Sequence, residues 1–216
     1  MTLAKLKKKF DIKEYLSNFS FDEKQDLFSI DSENKTKVEY FAIDRKVYPK
    51  FINEFWTSKQ RLANSLHEIA YRACFKPQLP RFFIQLLTQK GDIVFDPFNG
   101  RGTTIIEAAL LGRNIIANDV NPLSVILSSP RLFVPNIFEL EKRLNKIPID
   151  NNARADIDLS MFYHPGTEAE IVSLKNYLRE RKVTKQEDNL DKWIRMLATN
   201  RLTGHSPGFF SVYTLP

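Results

Sequence analysis

The spacing of apolar residues changes several times along this chain of 216 residues. Residues 1–57 alternate short apolar runs with charges and contain no glycine, which predicts an N-terminal extension of helical and some strand segments. From Ser58, apolar residues recur at helical spacing as far as Ala73, so we expect a helix capped by the serine. Pro80 suits the first turn of a second helix, which Gly91 ends.

A strand, a turn, a helix and a second strand follow. Residues 92–96 form a short β-branched run that is typical of a buried strand. Residues 97–102 have the composition of a turn, and residues 103–111 predict a helix that Gly112 closes in the left-handed conformation. Residues 114–119 are the second predicted strand. The pattern therefore indicates one compact β-α-β unit.

Three more helices are predicted towards the end of the sequence. Asn136 with Glu139 resembles a capping box, in which a side chain at the helix start and one three residues later satisfy each other's backbone N–H groups. Thr167 with Glu170 fits that pattern for the second helix, and Asp188 caps the third.

These segments divide the chain into an extension (1–57), a central core (58–135) and a helical region (136–216). Alternation of strands and helices in the core predicts the α/β class. A doubly wound sheet normally has more strands than the two that the pattern predicts. We therefore expect the α/β fold in this chain to be incomplete.

Composition limits the setting and the partners. The net charge of +6 favours polyanionic partners, although an ordinary basic protein explains it equally well. No apolar run approaches the ~18 residues of a membrane span, and no secretory signal is present. Cys74 is the single cysteine, and three dispersed histidines argue against a zinc site. We expect a cytoplasmic protein without a membrane segment or a metal.

The glycine-containing turn is the feature most indicative of ligand binding. It places an acid, Asp96, before two close glycines, Gly100 and Gly102, and a helix start at Thr103. Glycines let a ligand approach the backbone, and the helix start points unpaired N–H groups at it. Asp119 ends the second strand 23 residues after Asp96, where an acid can bind a ribose diol.

The order of residues in this turn discriminates between nucleoside ligands. It contains neither the third glycine of a dinucleotide fingerprint nor the Gly-Lys-Ser/Thr of a phosphate-binding loop. An acid directly before the turn repels a pyrophosphate but suits the ammonium group of a methionine moiety. The turn therefore favours S-adenosylmethionine over NAD or ATP, with a purely structural glycine turn as the alternative.

Residues 96–104, followed by 107–108 and 118–122, resemble the cofactor motif of amino-group DNA methyltransferases, which modify adenine N6 or cytosine N4. The usual motif is D-P-F-x-G-S-G-T, and Arg101 stands where the serine is customary. We expect Arg101 to lie on the solvent side of the turn. Residues 75–80 resemble the segment that precedes the cofactor strand in this family.

The resemblance implies a Rossmann-like S-adenosylmethionine-dependent methyltransferase fold and double-stranded DNA as substrate. The positions that it assigns to the cofactor are Phe75, Lys76, Pro77, Asp96, Pro97, Phe98, Gly100, Gly102, Thr103 and Asp119. Among these, Asp119 would hold the ribose, and the segment from Phe75 to Pro77 would cover the cofactor. The alternatives are a helix break with core packing for Phe75 and Pro77, and core packing for Phe98. At the level of function, the alternatives are an RNA base methyltransferase and a non-catalytic subunit.

The catalytic motif of the same family, [D/N/S]-P-P-[Y/F/W], is missing, because this sequence contains no Pro-Pro pair. In that motif, polar groups bind the target amine and the aromatic ring stacks on a flipped-out base. The nearest string gives Ser206, Pro207 and Phe209 as weak catalytic candidates, with an ordinary loop as the simpler interpretation. We expect a longer chain or a second polypeptide to carry the motif, and weak or no activity without it.

Overall fold

The computed structural model describes residues 11–19, 36–53, 64–69, 71 and 74–202 of the chain. The chain divides into two compact units, residues 1–61 and 62–216. The three-part division drawn from the sequence stays a prediction.

The first unit contains a short helix and a β-hairpin. Helix α1 spans Ile12–Ser17, and strands β1 (Lys37–Ile43) and β2 (Lys46–Ile52) pair antiparallel. The two-residue turn between them, Asp44 and Arg45, has positive φ at both positions, 48° and 64°. Positive φ at both positions matches the twist of a hairpin. The predicted mixture of helix and strand is confirmed in this part of the extension.

The β-α-β unit of the second compact unit is confirmed. Strand β3 spans Ile93–Asp96, and helix α2 (Gln78–Leu87) precedes it. Helix α3 spans Thr103–Leu110, and strand β4 spans Asn114–Ala117. The two strands pair in parallel, and Gly112 has the expected left-handed φ of 74°.

The prediction that the first strand is buried is wrong. Ile93 is 63% exposed and Phe95 is 57% exposed, whereas Val94 between them is partly buried. Side chains alternate between the faces of a strand, so one face of the β3–β4 pair carries these exposed residues. Within the described residues this apolar face is open.

The prediction of a helix that starts at Ser58 is also wrong for the part of this segment that the structure describes. Residues 64–69 contain one 3₁₀ turn, Ser65–His67, instead of an α-helix. The Asn64 side chain accepts the N–H of Leu66 at 2.9 Å, which caps this short turn. Backbone carbonyls of this segment, which would accept N–H groups in a helix, accept hydrogen bonds from arginine side chains instead. Ser58 itself lies outside the described residues.

Helix α4 (Leu123–Ser128) and the 3₁₀ turn Ser129–Leu132 follow β4, and neither was predicted. Three longer helices then agree with the prediction. Their bounds are Ile137–Leu144 for α5, Pro165–Val183 for α6 and Asn189–Leu202 for α7.

The caps of these helices follow the sequence with one exception. The side chain of Asn136 accepts the N–H of Phe138 at 2.8 Å, and Asp188 accepts the N–H of Asp191 at 3.0 Å. Thr167 was the wrong cap for α6. That helix begins at Pro165, a residue suited to a first turn, and His164 precedes it as the capping residue.

Two apolar clusters form the core of the second unit. Ile69, Leu127 and Met196 make the first, and Leu140, Leu178 and Ile194 make the second. Helix α7 supplies one residue to each cluster, and Trp193 packs against both. This helix therefore joins the β-α-β region to the helical region.

Candidate functional site

The glycine loop, residues 97–102, lies where the two parallel strands end. The N–H of Asn118 donates to the carbonyl of Asp96 at 2.9 Å, and the N–H of Asn99 donates back to the carbonyl of Asn118 at 3.0 Å. These bonds hold the chain segments after β3 and β4 side by side. The carboxyl ends of parallel strands are where α/β proteins bind their ligands.

Asp119 links the two segments through its side chain. One carboxylate oxygen accepts the N–H of Gly100 at 2.6 Å, and the other accepts the N–H of Asn121 at 2.8 Å. The backbone hydrogen bonds from Asn121 and Gly100 lower the pKa of Asp119, so it is ionised at neutral pH. Each carboxylate oxygen has a further lone pair, so the group can still accept hydroxyl donors.

Gly102 stands at the start of α3 with φ of 87° and donates its N–H to the carbonyl of Asn99 at 2.7 Å. A Cβ on this residue would lie 2.7 Å from the Cβ of Ser128. Both the backbone angle and the packing therefore require glycine here. The first N–H groups of α3 have no helical acceptor, which makes this end attractive to an anionic group.

A polar network lies beneath the loop. The buried amide of Asn99 donates to the hydroxyl of Ser124 at 2.7 Å and to that of Ser128 at 3.1 Å. The hydroxyl of Ser128 in turn donates to the carbonyl of Ser124 at 2.7 Å. These bonds attach the loop to α4, and the sequence analysis did not identify them.

Arg101 does not lie on the solvent side of the turn, so that expectation is wrong. Its guanidinium donates to the carbonyls of His67 at 3.2 Å and Ile69 at 2.8 Å. Its Nε also donates to the hydroxyl of Thr103 at 3.2 Å. Because carbonyls from the 64–69 segment are available to this side chain, arginine ties that segment to the glycine loop.

A second arginine holds the same segment. Arg131 is buried and donates to the carbonyls of Leu66 at 2.7 Å and Leu127 at 2.8 Å. Burial and the neighbouring Arg101 lower the pKa of Arg131 to about 10, so Arg131 remains charged at neutral pH. Arg101 and Arg131 thus donate to backbone carbonyls and not to carboxylates.

Glu107 of α3 accepts two further side chains. Its carboxylate lies 2.8 Å from Nε2 of His67 and 3.0 Å from the guanidinium of Arg81. Glu107 and His67 are both buried. The carboxylate thereby joins α3 to α2 and to the 64–69 segment, which is a structural role beneath the loop.

The predicted cofactor residues differ in accessibility. Asp96 is partly buried and accepts the N–H of Phe98 at 3.0 Å. Phe98 is 88% exposed, so the interpretation as core packing is wrong for this residue. Pro97 is exposed, whereas Thr103 is buried with its hydroxyl bonded to Arg101.

The segment from Phe75 to Pro77 leads into α2. Pro77 is buried directly before the helix, and Phe75 and Lys76 are exposed. Tyr71, four residues before Phe75, lies against the loop: its ring would be 3.6 Å from a Cβ placed on Gly100. The role of Phe75, Lys76 and Pro77 at the cofactor stays a prediction. The weak catalytic candidates Ser206, Pro207 and Phe209 lie outside the described residues.

Val120 is a site residue that the sequence analysis missed. It follows Asp119 directly and is 99% exposed. Phe98, in the glycine loop, is likewise exposed, at 88%.

Comparison with known proteins places these features in a family. The family model described as DNA methylase matches residues 3–125, more than half of the chain. The chain belongs to this family of amino-group DNA methyltransferases. The match begins well before residue 58, so the family resemblance extends into the predicted N-terminal extension.

The chain is similar to several longer type II methyltransferases. It is 33% identical over 88 residues to the type II methyltransferase M.MjaII of Methanocaldococcus jannaschii, covering 40% of this chain and 17% of that one. It is 32% identical over 122 residues to M.BsoBI of Geobacillus stearothermophilus, covering 51% and 24%. The chain thus spans a quarter or less of the length of these relatives.

A solved structure of the PvuII DNA methyltransferase (cytosine-N4-specific) is 29% identical and has a TM-score of 0.34, covering 41% of this chain and 34% of that one. Within the described residues, no helix is long and apolar enough to cross a membrane. The same residues contain no group of three potential metal ligands.

Proposed function

We propose that this chain is the cofactor-binding part of a site-specific DNA methyltransferase. The reaction is transfer of a methyl group from S-adenosylmethionine to adenine N6 or cytosine N4. The observation that carries the proposal is the 2.6 Å bond from the Gly100 N–H to Asp119. It joins the glycine loop of one strand to the acid of the next, which is how such folds present a nucleoside site.

The residues at the strand ends fit S-adenosylmethionine. Asp96 would hold the ammonium group of the methionine moiety, and Asp119 would accept the ribose hydroxyls. The free N–H groups at the start of α3 suit the carboxylate. Phe98 and Val120 offer exposed apolar surface for the adenine. Phe75, Lys76 and Pro77 would close the site from the side of α2.

The bound cofactor supplies an electrophilic methyl group. The contribution of this chain is to hold the cofactor rigidly and in one orientation, which lowers the entropic cost of an in-line displacement. The acidic residues Asp96 and Asp119 flank the loop, and Arg101 ties the loop to the 64–69 segment.

Another stretch of polypeptide would supply the catalytic motif. Two observations support this division: the sequence has no Pro-Pro pair, and one face of the β3–β4 pair is not covered by any of the described residues. Parallel strands are normally covered on both faces. The completing part would contribute neighbouring strands, helices on the open face and the base-binding loop.

Calorimetry with S-adenosylhomocysteine tests the cofactor site. Asp119→Ala is expected to weaken binding about 10- to 100-fold, because a charge-assisted hydrogen bond contributes about 1.5–3 kcal/mol. Asp156→Ala is the matched control, since it removes an exposed carboxylate in the loop before α6. Heat of binding to NAD, with none to the methionine ligand, would contradict the proposal.

The substrate is tested in cells that express the chain with its completing part. Protection of plasmid restriction sites, lost on Asp96→Ala, is expected for a DNA methyltransferase. Methylated RNA with unprotected plasmid would instead assign the chain to an RNA-modifying enzyme. If the Asp96→Ala variant still protected the plasmid restriction sites, the loop would have a structural role only.

A further inference from the structure

Helices α6 and α7 enclose a groove of about 400 Å³ that carries positive charge. Lys175, Arg179 and Lys182 of α6 and Arg195 of α7 line it, and aliphatic side chains such as Leu178 form its floor. No acidic residue is among the residues that line this groove. The second large groove, beside Arg131, differs in this respect because Glu68 lines it with the arginine.

The three cations of α6 lie on one face of the helix. Lys175, Arg179 and Lys182 are spaced four and three residues apart, the spacing of neighbours on a helix surface. At a rise of about 1.5 Å per residue, they extend over roughly 10 Å. One strand of DNA carries a phosphate per about 3.4 Å of axis, so this length corresponds to about three phosphates.

The charges of the groove are largely uncompensated within the described chain. Among the described residues, Arg195 forms an ion pair with Glu187 at 2.6 Å. The three cations of α6 form no ion pair with any other described residue. Glu180 is exposed on the same helix, but helical spacing turns it about 100° away from Arg179. An unpaired row of cations over an aliphatic floor attracts a polyanion more than an ordinary solvated face does.

We propose that this groove binds the phosphodiester backbone of the substrate DNA. The proposal deepens the function proposed above and rests on it for the choice of DNA as the polyanion. The position of α7 supports it, because Met196 of this helix packs against Ile69 and Leu127 next to the glycine loop. Helix α7 therefore connects the groove in which DNA would bind to the part of the chain that carries the cofactor site.

The test measures binding of a labelled 25-base-pair duplex to the 216-residue chain by fluorescence anisotropy between about 50 and 200 mM salt. The variant K175Q/R179Q/K182Q is expected to bind at least about 10-fold more weakly at the lower salt. Its log–log salt slope should fall by about 0.9 for each lost phosphate contact, or nearly 3 in total. The matched control K142Q/K146Q/K192Q removes the same charge from exposed positions elsewhere in the unit.

Calorimetry with S-adenosylhomocysteine on the same preparations separates the two proposals. Wild-type cofactor affinity in the triple variant, with weakened DNA binding, supports the groove as the DNA contact. Failure of the wild-type chain to bind the cofactor would overturn the proposed function without changing the DNA result. The groove proposal is overturned if wild type binds no DNA, or if both triple variants lose equal affinity. It is also overturned if RNA duplex binding alone responds to the α6 substitutions.

Discussion

Gly91 and Gly102 share a backbone conformation but differ in what surrounds them. Their φ angles are 89° and 87°, both in the left-handed region. A Cβ on Gly91 would meet nothing within 4 Å, whereas one on Gly102 would approach the Cβ of Ser128 to 2.7 Å. The pair therefore separates the cost of backbone strain from the cost of a collision.

Gly91→Ala is expected to lower the free energy of unfolding by about 1 kcal/mol, the cost of a left-handed alanine. Gly102→Ala should cost about 1–3 kcal/mol more, because overpacking adds to the same strain. Urea unfolding followed by tryptophan fluorescence measures both. Equal losses for the two variants would show that Ser128 moves away without cost.

Arg101→Ser introduces the residue that is customary at this position of the motif. It removes charge-assisted bonds to the carbonyls of His67 and Ile69 and is expected to cost about 2–3 kcal/mol of unfolding free energy. Hydrogen exchange should rise in residues 64–69 in particular. Arg154→Ser is the control, because its guanidinium binds only carbonyls within three residues and is exposed. No change in exchange would mean that Arg131 alone holds the segment.

The residues of the site were predictable to different degrees. Asp96, Gly100 and Gly102 belong to one contiguous motif, and Asp119 ends the next predicted strand, so their local conformation follows from the residue types. The contacts of Arg101 were not predictable, since its carbonyl partners lie 34 and 32 residues earlier in the chain. Nothing in the sequence indicates which distant carbonyls are left without a helical N–H.

At the scale of elements, helices were easier to predict than strand burial. Caps depend on side chains within three residues, so Asn136 and Asp188 were identified correctly. Burial of β3 depends on what covers both faces of the sheet, and a run such as Ile93–Asp96 gives no information about a missing neighbour. The burial of β3 was therefore predicted wrongly because burial depends on tertiary contacts, which the local sequence does not reveal.

An ion cluster joins α5, α6 and α7. Arg143 binds Asp188 at 2.6 Å, and the buried Asp191 lies between Arg143 and Arg181. Burial alone would raise the pKa of Asp188, but bonds from Arg143 and the Asp191 N–H, with the charges of both arginines, together lower it to about 2. The depressed pKa makes this group stabilise the fold when it is ionised.

The stabilisation from Asp188 is present above its ordinary pKa of 3.8 and is lost as the pH falls towards about 2. Because the side chain is 42% exposed, solvent screening reduces the effect to about 1 kcal/mol. Urea unfolding at pH 5, 3 and 2 should show a shallower pH dependence for Asp188→Asn than for wild type. Asparagine keeps the helix cap, and Asp156→Asn should behave like wild type. Identical pH dependences for Asp188→Asn and wild type would exclude this contribution.

At the scale of the whole molecule, the described residues leave one apolar face of the β3–β4 pair open. Phe95 lies opposite Ile116 in the parallel register, and both are more than half exposed. Adjacent exposed apolar residues on a sheet mark a surface that another element covers.

The variant F95S/I116S tests whether this face is the apolar surface that the isolated chain exposes. Binding of a hydrophobic dye is expected to fall by half or more, while the free energy of unfolding falls by no more than about 2–3 kcal/mol, because both side chains are more than half exposed. F138S/I157S makes the same change of composition at exposed positions of α5 and the loop before α6 and should leave most of the dye signal. A large loss of stability in F95S/I116S would show that the face is already covered within this chain. In that case the sheet needs no completing polypeptide, and the missing catalytic motif would remain the sole support for one.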